Sequence, residues 1–173
     1  MKKLSAKPWI VFFGAVGLGV LLHFLHDWLP NPVTALVSPV KESLWEHIKI
    51  LYVPLLAAAL ILGKGSPAVR NARLLSIPVV CGLMLGLAWL YHIPLRGEAM
   101  IFDLILYGVM MALGFLLPRW LWPVADWPGV TRLAVGLNLL LGSMLVWFTF
   151  FPPDSILFAD LEEGVRTFFT IPV

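Results

Sequence analysis

Long apolar segments recur along this 173-residue chain, and they constrain its fold more than any other feature. A helix needs roughly 20 predominantly apolar residues to cross a hydrocarbon core of about 30 Å. Hydrophobic residues make up 60% of the chain and charged residues 13%, with a mean hydropathy of +0.92. A soluble core of this size could not enclose so much apolar surface. We therefore predict an all-α integral membrane protein that is embedded in the lipid bilayer, its predicted partner.

Turn-forming residues divide the chain into about five transmembrane helices, which form a single domain. Pro30-Asn31-Pro32 ends the first span, because proline supplies no amide donor and disfavours helix in the preceding residue. Ser38-Pro39 begins the second span, since serine is favoured at the N-cap and proline at the first helical position. The predicted spans are residues 8–29, 39–62, 73–92, 99–117 and 130–151, and residues 152–173 form an outer-face tail that folds back over the helix ends.

The Lys and Arg residues near the span ends predict the orientation of the bundle. With the N-terminus inside, eight of these cations lie on the inner side and four on the outer side. Cytoplasmic loops carry an excess of Lys and Arg, so we predict that the N-terminus is in and the C-terminus out. The inner cations are Lys2, Lys3, Lys7, Lys64, Arg70, Arg73, Arg119 and Arg132, and the outer ones are Lys41, Lys49, Arg96 and Arg166.

The ionisable side chains of the apolar segments gather near one face of the membrane. The apolar run of residues 50–62 makes about 20 Å of helix, which is too short to cross. The second span must therefore begin before this run, which places Glu46 and His47 within the depth of the membrane. Counting along the other spans places His23 and Asp103 about 6–7 Å below the same outer boundary. Such groups usually face the bundle interior or a water-filled cavity.

This layer predicts an outer-leaflet site of histidines and carboxylates. Imidazole and carboxylate together suit a divalent transition metal, most simply zinc. His23, His47 and Asp103 are the candidate metal ligands, with water in the open position. Glu42 and Glu46 lie four residues apart, on one side of a helix. They are the candidate catalytic carboxylates, one of which would act as general base.

A structural interpretation of the same residues stays open beside the functional one. Glu46 and Lys49 are three residues apart and could pair with each other. Asn138 in the fifth span is typical of a polar residue that hydrogen-bonds between helices. The single cysteine, Cys81, lies in an apolar run and is predicted to be a packing residue.

Several motifs resemble a family of small bacterial multi-span membrane proteins known only as a domain of unknown function. The distinctive core is Glu42-Ser43-Leu44-Trp45-Glu46-His47, and Lys41 before it stands where asparagine is common in that family. This lysine places a positive charge beside the carboxylates and weakens the direct transfer of any metal role. The resemblance implies a multi-pass protein of the bacterial cytoplasmic membrane, and it implies no activity. The other matching pieces are His23-Phe24, Asp27-Trp28, the Asp103 region, Thr149-Phe150-Phe151-Pro152-Pro153 and Leu157-Phe158-Ala159-Asp160.

Three functions fit these features. The first is a metal-dependent hydrolase that acts on a lipid or headgroup from the outer leaflet. The second is a non-catalytic accessory or sensor protein, whose outer layer contacts a membrane-protein partner or responds to pH through histidine. The third, a small transporter, is less favoured, because a relay would place some charges near the midplane. A nucleic-acid partner is excluded, because the net charge is only +2 and no basic stripe is interleaved with exposed aromatics.

Overall fold

The computed structural model describes residues 6–161, and every regular element among them is helical, which confirms the all-α class for this part of the chain. Lys2, Lys3 and Arg166, which were counted for the orientation, lie outside the described residues. The helices are α1 (Ala6–Trp28), α2 (Pro32–Ala35), a 3₁₀ turn (Glu46–Ile48), α3 (Lys49–Leu62), α4 (Pro67–His92), α5 (Met100–Leu116), α6 (Pro118–Ala125) and α7 (Val130–Phe150).

Four helical stretches among the described residues are long and apolar enough to cross a bilayer. They are Lys7–Trp28, Pro67–His92, Met100–Ala125 and Val130–Phe150. Large apolar side chains such as Phe13, Leu104 and Leu139 are exposed on them. Extended exposed apolar surface of this kind is typical of contact with a membrane. The fold therefore fits a membrane-spanning helical bundle.

The short helix α3 lies at the centre of this bundle. Its 14 residues make about 21 Å of helix, and it packs against α1, α4 and α5. Leu51 and Ala59 on α3 are almost fully buried. Gly19 of α1 lies so close to the Ile50 carbonyl that a Cβ atom there would collide with it. The glycine therefore allows the backbones of α1 and α3 to approach closely.

The second predicted span begins later than expected, because Ser38 has another partner. Its hydroxyl accepts a hydrogen bond from the His26 amide at 3.0 Å and donates to the Leu22 carbonyl. Ser38 is thereby inserted into the hydrogen-bond ladder of α1, an arrangement that bends helices. The chain then runs through an irregular loop, and α3 starts only at Lys49.

Two other helical stretches, Pro67–His92 and Met100–Ala125, extend beyond the predicted bounds. Helix α4 begins at Pro67 rather than Arg73, behind Ser66, whose hydroxyl accepts a hydrogen bond from the Val69 amide. The fourth span was predicted to end at residue 117, but the next residue, Pro118, begins a further helix, α6. In both helices the proline occupies a first-turn position, where its missing amide proton is not needed.

Polar side chains join the helices in the middle of the bundle. Asn138 of α7 donates to the Leu74 carbonyl of α4 at 2.8 Å. Tyr52 of α3 in turn donates to the Asn138 carbonyl at 2.8 Å. The interhelical role predicted for Asn138 is confirmed, as is the burial of Cys81. Such bonds satisfy polar groups that water does not reach.

One end of the bundle collects most of the polar side chains singled out from the sequence. The last turns of α1, α4 and α7 meet there with the first turns of α3 and α5. We call it the histidine end, because His23, His47 and His92 lie there. The predicted gathering of ionisable groups at one face corresponds to this end.

Candidate metal centre

A buried ion pair anchors the loop between α1 and α3. The Lys49 side chain is 0% exposed, and its ammonium group donates to Glu46 Oε2 at 2.7 Å. It also donates to the carbonyls of Ala35 at 2.7 Å and Ser38 at 3.1 Å. An ammonium group has three protons, so its whole donor capacity is used. These bonds tie the loop to the start of α3.

Both carboxylate oxygens of Glu46 are engaged within the protein. Oε2 also accepts from the Val40 amide at 3.0 Å, and Oε1 accepts from the Thr149 hydroxyl at 2.8 Å. The residue is 5% exposed. The pairing of Glu46 with Lys49 that was weighed from the sequence is confirmed. The catalytic role suggested for Glu46 stays a prediction.

His47 is held in one orientation by the residues just before it. Its Nδ1 lies 2.8 Å from the Ser43 carbonyl, so the Nδ1 proton is donated to that oxygen. Its Nε2 lies 3.1 Å from Glu42 Oε2. A histidine that binds a metal almost always donates its other ring N–H to a carbonyl or carboxylate. The Ser43 carbonyl supplies this support and leaves Nε2 to face the Glu42 carboxylate.

His23 completes a group of three possible metal ligands with Glu42 and His47. One ligand atom from each of the three side chains lies within 4.8 Å of the others, and the two imidazole rings are 5.2 Å apart. His23 Nδ1 is buried and has no hydrogen-bond partner among the described residues, which is uncommon for a buried polar atom. Two imidazoles and one carboxylate are a ligand set that zinc and other divalent transition metals use.

The charges of Glu42 and His47, which lie outside the four span-length helices, stabilise each other. The hydrogen bond from His47 is the main cause that lowers the pKa of the Glu42 carboxyl below its usual value. Burial opposes a charge on His47, but the bonds to Glu42 and Ser43 outweigh burial and raise the pKa of His47. Asp103 acts on His47 in the same direction. A divalent cation bound here would replace the proton on Nε2.

A second pair of histidine and carboxylate lies at the same end of the bundle. His92 Nε2 is 2.8 Å from Asp103 Oδ1, and His92 Nδ1 is 2.8 Å from the Gly97 carbonyl. Asp103 was predicted as a metal ligand, but the structure brings its carboxylate to His92, and Glu42 takes the third place in the group of possible ligands. Metal binding by Asp103 stays a prediction.

Residues 152–161, which we call the return segment, fold back along the loop that carries Glu42. The Trp45 amide donates to the Leu157 carbonyl at 3.1 Å, and the Leu161 amide donates to the Glu42 carbonyl at 3.0 Å. The described part of the tail thus contacts the segment that precedes α3. Its predicted position at the outer face stays a prediction. The rest of the tail, with Glu162 and Glu163, lies outside the described range.

Sequence reasoning missed two features of this region. One is the Ser43 carbonyl that orients His47, since no sequence signal marks the direction of a backbone carbonyl. The other is the pairing of His92 with Asp103, for which the only signal was that both fall at the same membrane face. Glu42 was singled out as a catalytic carboxylate, and the structure places it among the possible ligands.

Within residues 6–161 these observations describe an all-helical bundle that fits a membrane-spanning protein, with a group of two histidines and one carboxylate at one end. The chain belongs to the family of unknown function DUF6512, which it matches over residues 2–167. The comparison with curated proteins found no match, and neither did the comparison with solved structures. The membership is in line with the resemblance noted from the sequence.

Proposed function

We propose that this protein is a membrane-embedded, metal-dependent hydrolase that acts on a lipid or its headgroup. His23, Glu42 and His47 would bind zinc or another divalent transition metal. The observation that carries the proposal is the convergence of their three ligand atoms within 4.8 Å. Three protein ligands leave a coordination position for water, which distinguishes catalytic zinc sites from structural ones.

The surroundings of this group support action on a lipid. The side chains of Glu42 and His47 are 54% and 22% exposed, so the group opens to the surface. Phe24 and Trp28 on the last turns of α1 are exposed beside it. Tryptophan side chains such as that of Trp28 are enriched at the level of the lipid headgroups. A headgroup can therefore approach the group from the membrane interface.

The proposed chemistry is hydrolysis. When bound, the metal ion would supply Lewis acidity and lower the pKa of a coordinated water. In such a hydrolysis the oxygen of water would bond to the phosphorus or acyl carbon, the bond to the leaving oxygen would break, and a water proton would pass to the leaving group. Of the two predicted catalytic carboxylates, Glu42 lies at this centre. Glu46 would act only through the backbone that its ion pair with Lys49 anchors.

We further propose five spans, with the N-terminus in and the C-terminus out, in the cytoplasmic membrane of a bacterium. The central position of α3 supports its assignment as the remaining span. The excess of inner over outer cations supports the orientation. With that topology the histidine end faces the outer leaflet.

The proposal is tested first by elemental analysis of detergent-purified protein made without a histidine tag. We expect about one zinc or other transition metal per chain, lost in His23→Ala and His47→Ala. His26→Ala is the matched control, because His26 lies one turn away on α1 and bonds to Thr34 instead. Absence of metal from the unmodified protein, after purification without chelators, would remove the basis of the proposal.

A second measurement separates an enzyme from a non-catalytic metal protein. Purified protein is incubated with phospholipid vesicles, and the released headgroups and fatty acids are quantified by mass spectrometry. We expect release that depends on added zinc and is absent in His47→Ala. Stoichiometric metal without any lipid hydrolysis would favour the accessory or sensor alternative and would direct the search to a membrane-protein partner.

A further inference from the structure

A cavity of about 440 Å³ opens at the end of the bundle opposite the histidine end. It lies between the first turns of α1 and α4 and the junction of α5 with α6. Its volume is within the usual range of small-molecule sites, about 300–1,000 Å³. None of the residues that form the candidate metal centre lines it. The cavity is therefore a separate feature of the fold.

Two arginines give this cavity its charge. The Arg73 guanidinium lies over the Phe115 ring, 5.6 Å from its centroid. Its Nε is buried and has no hydrogen-bond partner within residues 6–161. Arg119, which is exposed in the first turn of α6, also lines the cavity. No Asp or Glu of the described residues lines it, so the two cations lack a counter-charge in the cavity wall.

The rest of the wall is apolar and aromatic. Trp9 and Phe12 of α1 line the cavity together with Leu116 and Trp122. All of these residues lie in helical stretches that are long and apolar enough to span a bilayer. Tryptophans near the ends of such stretches lie at the depth of the lipid headgroups. The cavity thus combines two cationic side chains with an otherwise largely apolar wall.

We propose that this cavity binds one anionic phospholipid. The phosphate would contact the guanidinium groups of Arg73 and Arg119, and an acyl chain would lie along Phe12 and Leu116. Basic pockets between transmembrane helices are known to favour anionic headgroups, and the planar guanidinium matches the geometry of phosphate oxygens. A zwitterionic lipid brings its own cation, which the two arginines disfavour. The unpartnered Nε of Arg73 is the group that gains most from a bound phosphate.

This inference does not rest on the proposed hydrolase. The two sites are at opposite ends of the bundle and use different residues. Loss of zinc binding in His47→Ala would leave lipid binding at the arginines unchanged. Failure of one proposal is therefore distinguishable from failure of the other.

The test uses the full chain extracted from vesicles that contain equal amounts of phosphatidylglycerol and phosphatidylcholine. Native mass spectrometry reports the ratio of the two lipids that remain bound. We expect the unmodified protein to retain mainly phosphatidylglycerol, and Arg119→Gln to reduce this preference about tenfold, as expected for the loss of a hydrogen bond to a charged group. Arg73→Gln should have an effect at least as large.

Arg132→Gln is the matched control, because Arg132 is an exposed arginine in the first turn of α7 and does not line the cavity. Since Arg119 is exposed, its substitution tests the proposal even where Arg73→Gln fails to fold, which circular dichroism will show. Equal retention of both lipids by the unmodified protein would overturn the proposal. So would an equal loss in Arg132→Gln, or complete displacement of the lipid by excess inorganic phosphate.

Discussion

Glu42 and Glu46 lie four residues apart in one loop, and their surroundings are opposite. The Glu46 carboxylate is buried and bound by Lys49, Val40 and Thr149. The Glu42 side chain is 54% exposed, and its carboxylate pairs with His47. Glu46 thus belongs to a buried hydrogen-bond network, whereas Glu42 belongs to a group of possible metal ligands at the surface.

This difference shows how one short motif can supply both the buried bonds that hold a loop in place and the possible metal ligands that the loop carries. The bonds of Lys49 and Glu46 hold the loop, and Ser43 in the same loop orients His47. A ligand group keeps its geometry best when the residues around it are fixed by bonds of their own. The buried pair supports the exposed pair without sharing a side chain with it.

The largest expected effect comes from breaking the buried pair. In Lys49→Met the Glu46 carboxylate would remain buried without its cation, which costs about 3–5 kcal/mol of the free energy of unfolding. Denaturant unfolding in detergent micelles, followed by circular dichroism, measures this. Lys41→Met is the control, because Lys41 is exposed in the same loop. If both variants are equally stable, the pair does not have the role given to it here.

The next effect concerns the exposed glutamate. Glu42→Gln should weaken zinc binding at least tenfold, about the loss seen when groups around a metal are changed. The free energy of unfolding of the metal-free protein should change by less than about 1 kcal/mol, because exposed ion pairs contribute little. Titration calorimetry with zinc checks the first value, with Glu98→Gln as an exposed control at the same end. Unchanged zinc affinity would exclude Glu42 as a ligand.

A smaller effect is expected from pH in the metal-free protein. The pKa of Glu42 is lowered, so its contribution to stability is present above its ordinary value of 4.5 and is lost as the pH falls further. The pKa of His47 is raised, so its contribution is present below 6.5 and is lost as the pH rises. The stability difference between unmodified protein and Glu42→Gln should be largest between these values, at under about 1 kcal/mol. A difference that does not vary with pH would contradict the ion pair.

The smallest effect is expected at the second pair of histidine and carboxylate. Asp103→Asn should change zinc affinity by less than about twofold, because Asp103 bonds to His92 and acts on His47 only through space. The same zinc titration decides this. A loss as large as that in Glu42→Gln would show that the ligand role predicted for Asp103 from the sequence is correct.

The long apolar helices could be predicted from the sequence, because hydrophobic length alone marks a bilayer-spanning segment. The start of α3 could not. Ser38 and Pro39 carry a helix-start signal, but the Ser38 hydroxyl is used by α1, a neighbour that local propensity does not include. The three-residue spacing of Glu46 and Lys49 suggested their ion pair. The bonds from Lys49 to the Ala35 and Ser38 carbonyls are tertiary contacts that the spacing does not predict.

Only part of the candidate site could be predicted from the sequence, because the rest of it also depends on tertiary contacts. His23 and His47 were identified because charged groups in apolar segments are costly and usually face inward. Glu42 was placed on a regular helix beside Glu46, and the irregular loop turns the two carboxylates to different sides. Backbone direction in such a loop depends on bonds from Lys49 to two carbonyls, which no residue pattern specifies.

The return segment also has a consequence for biosynthesis. Chains are made from the N-terminus, so His23 and His47 leave the ribosome long before Leu157 and Leu161. Until those residues arrive, the Trp45 amide and the Glu42 carbonyl lack their partners. The loop beside the candidate ligands therefore reaches its final bonding only when α7 has been inserted and the chain has turned back. On the proposed function, a nascent protein that stalls before that point would bind metal poorly, and maturation of the candidate centre would wait for the synthesis of residues 157–161.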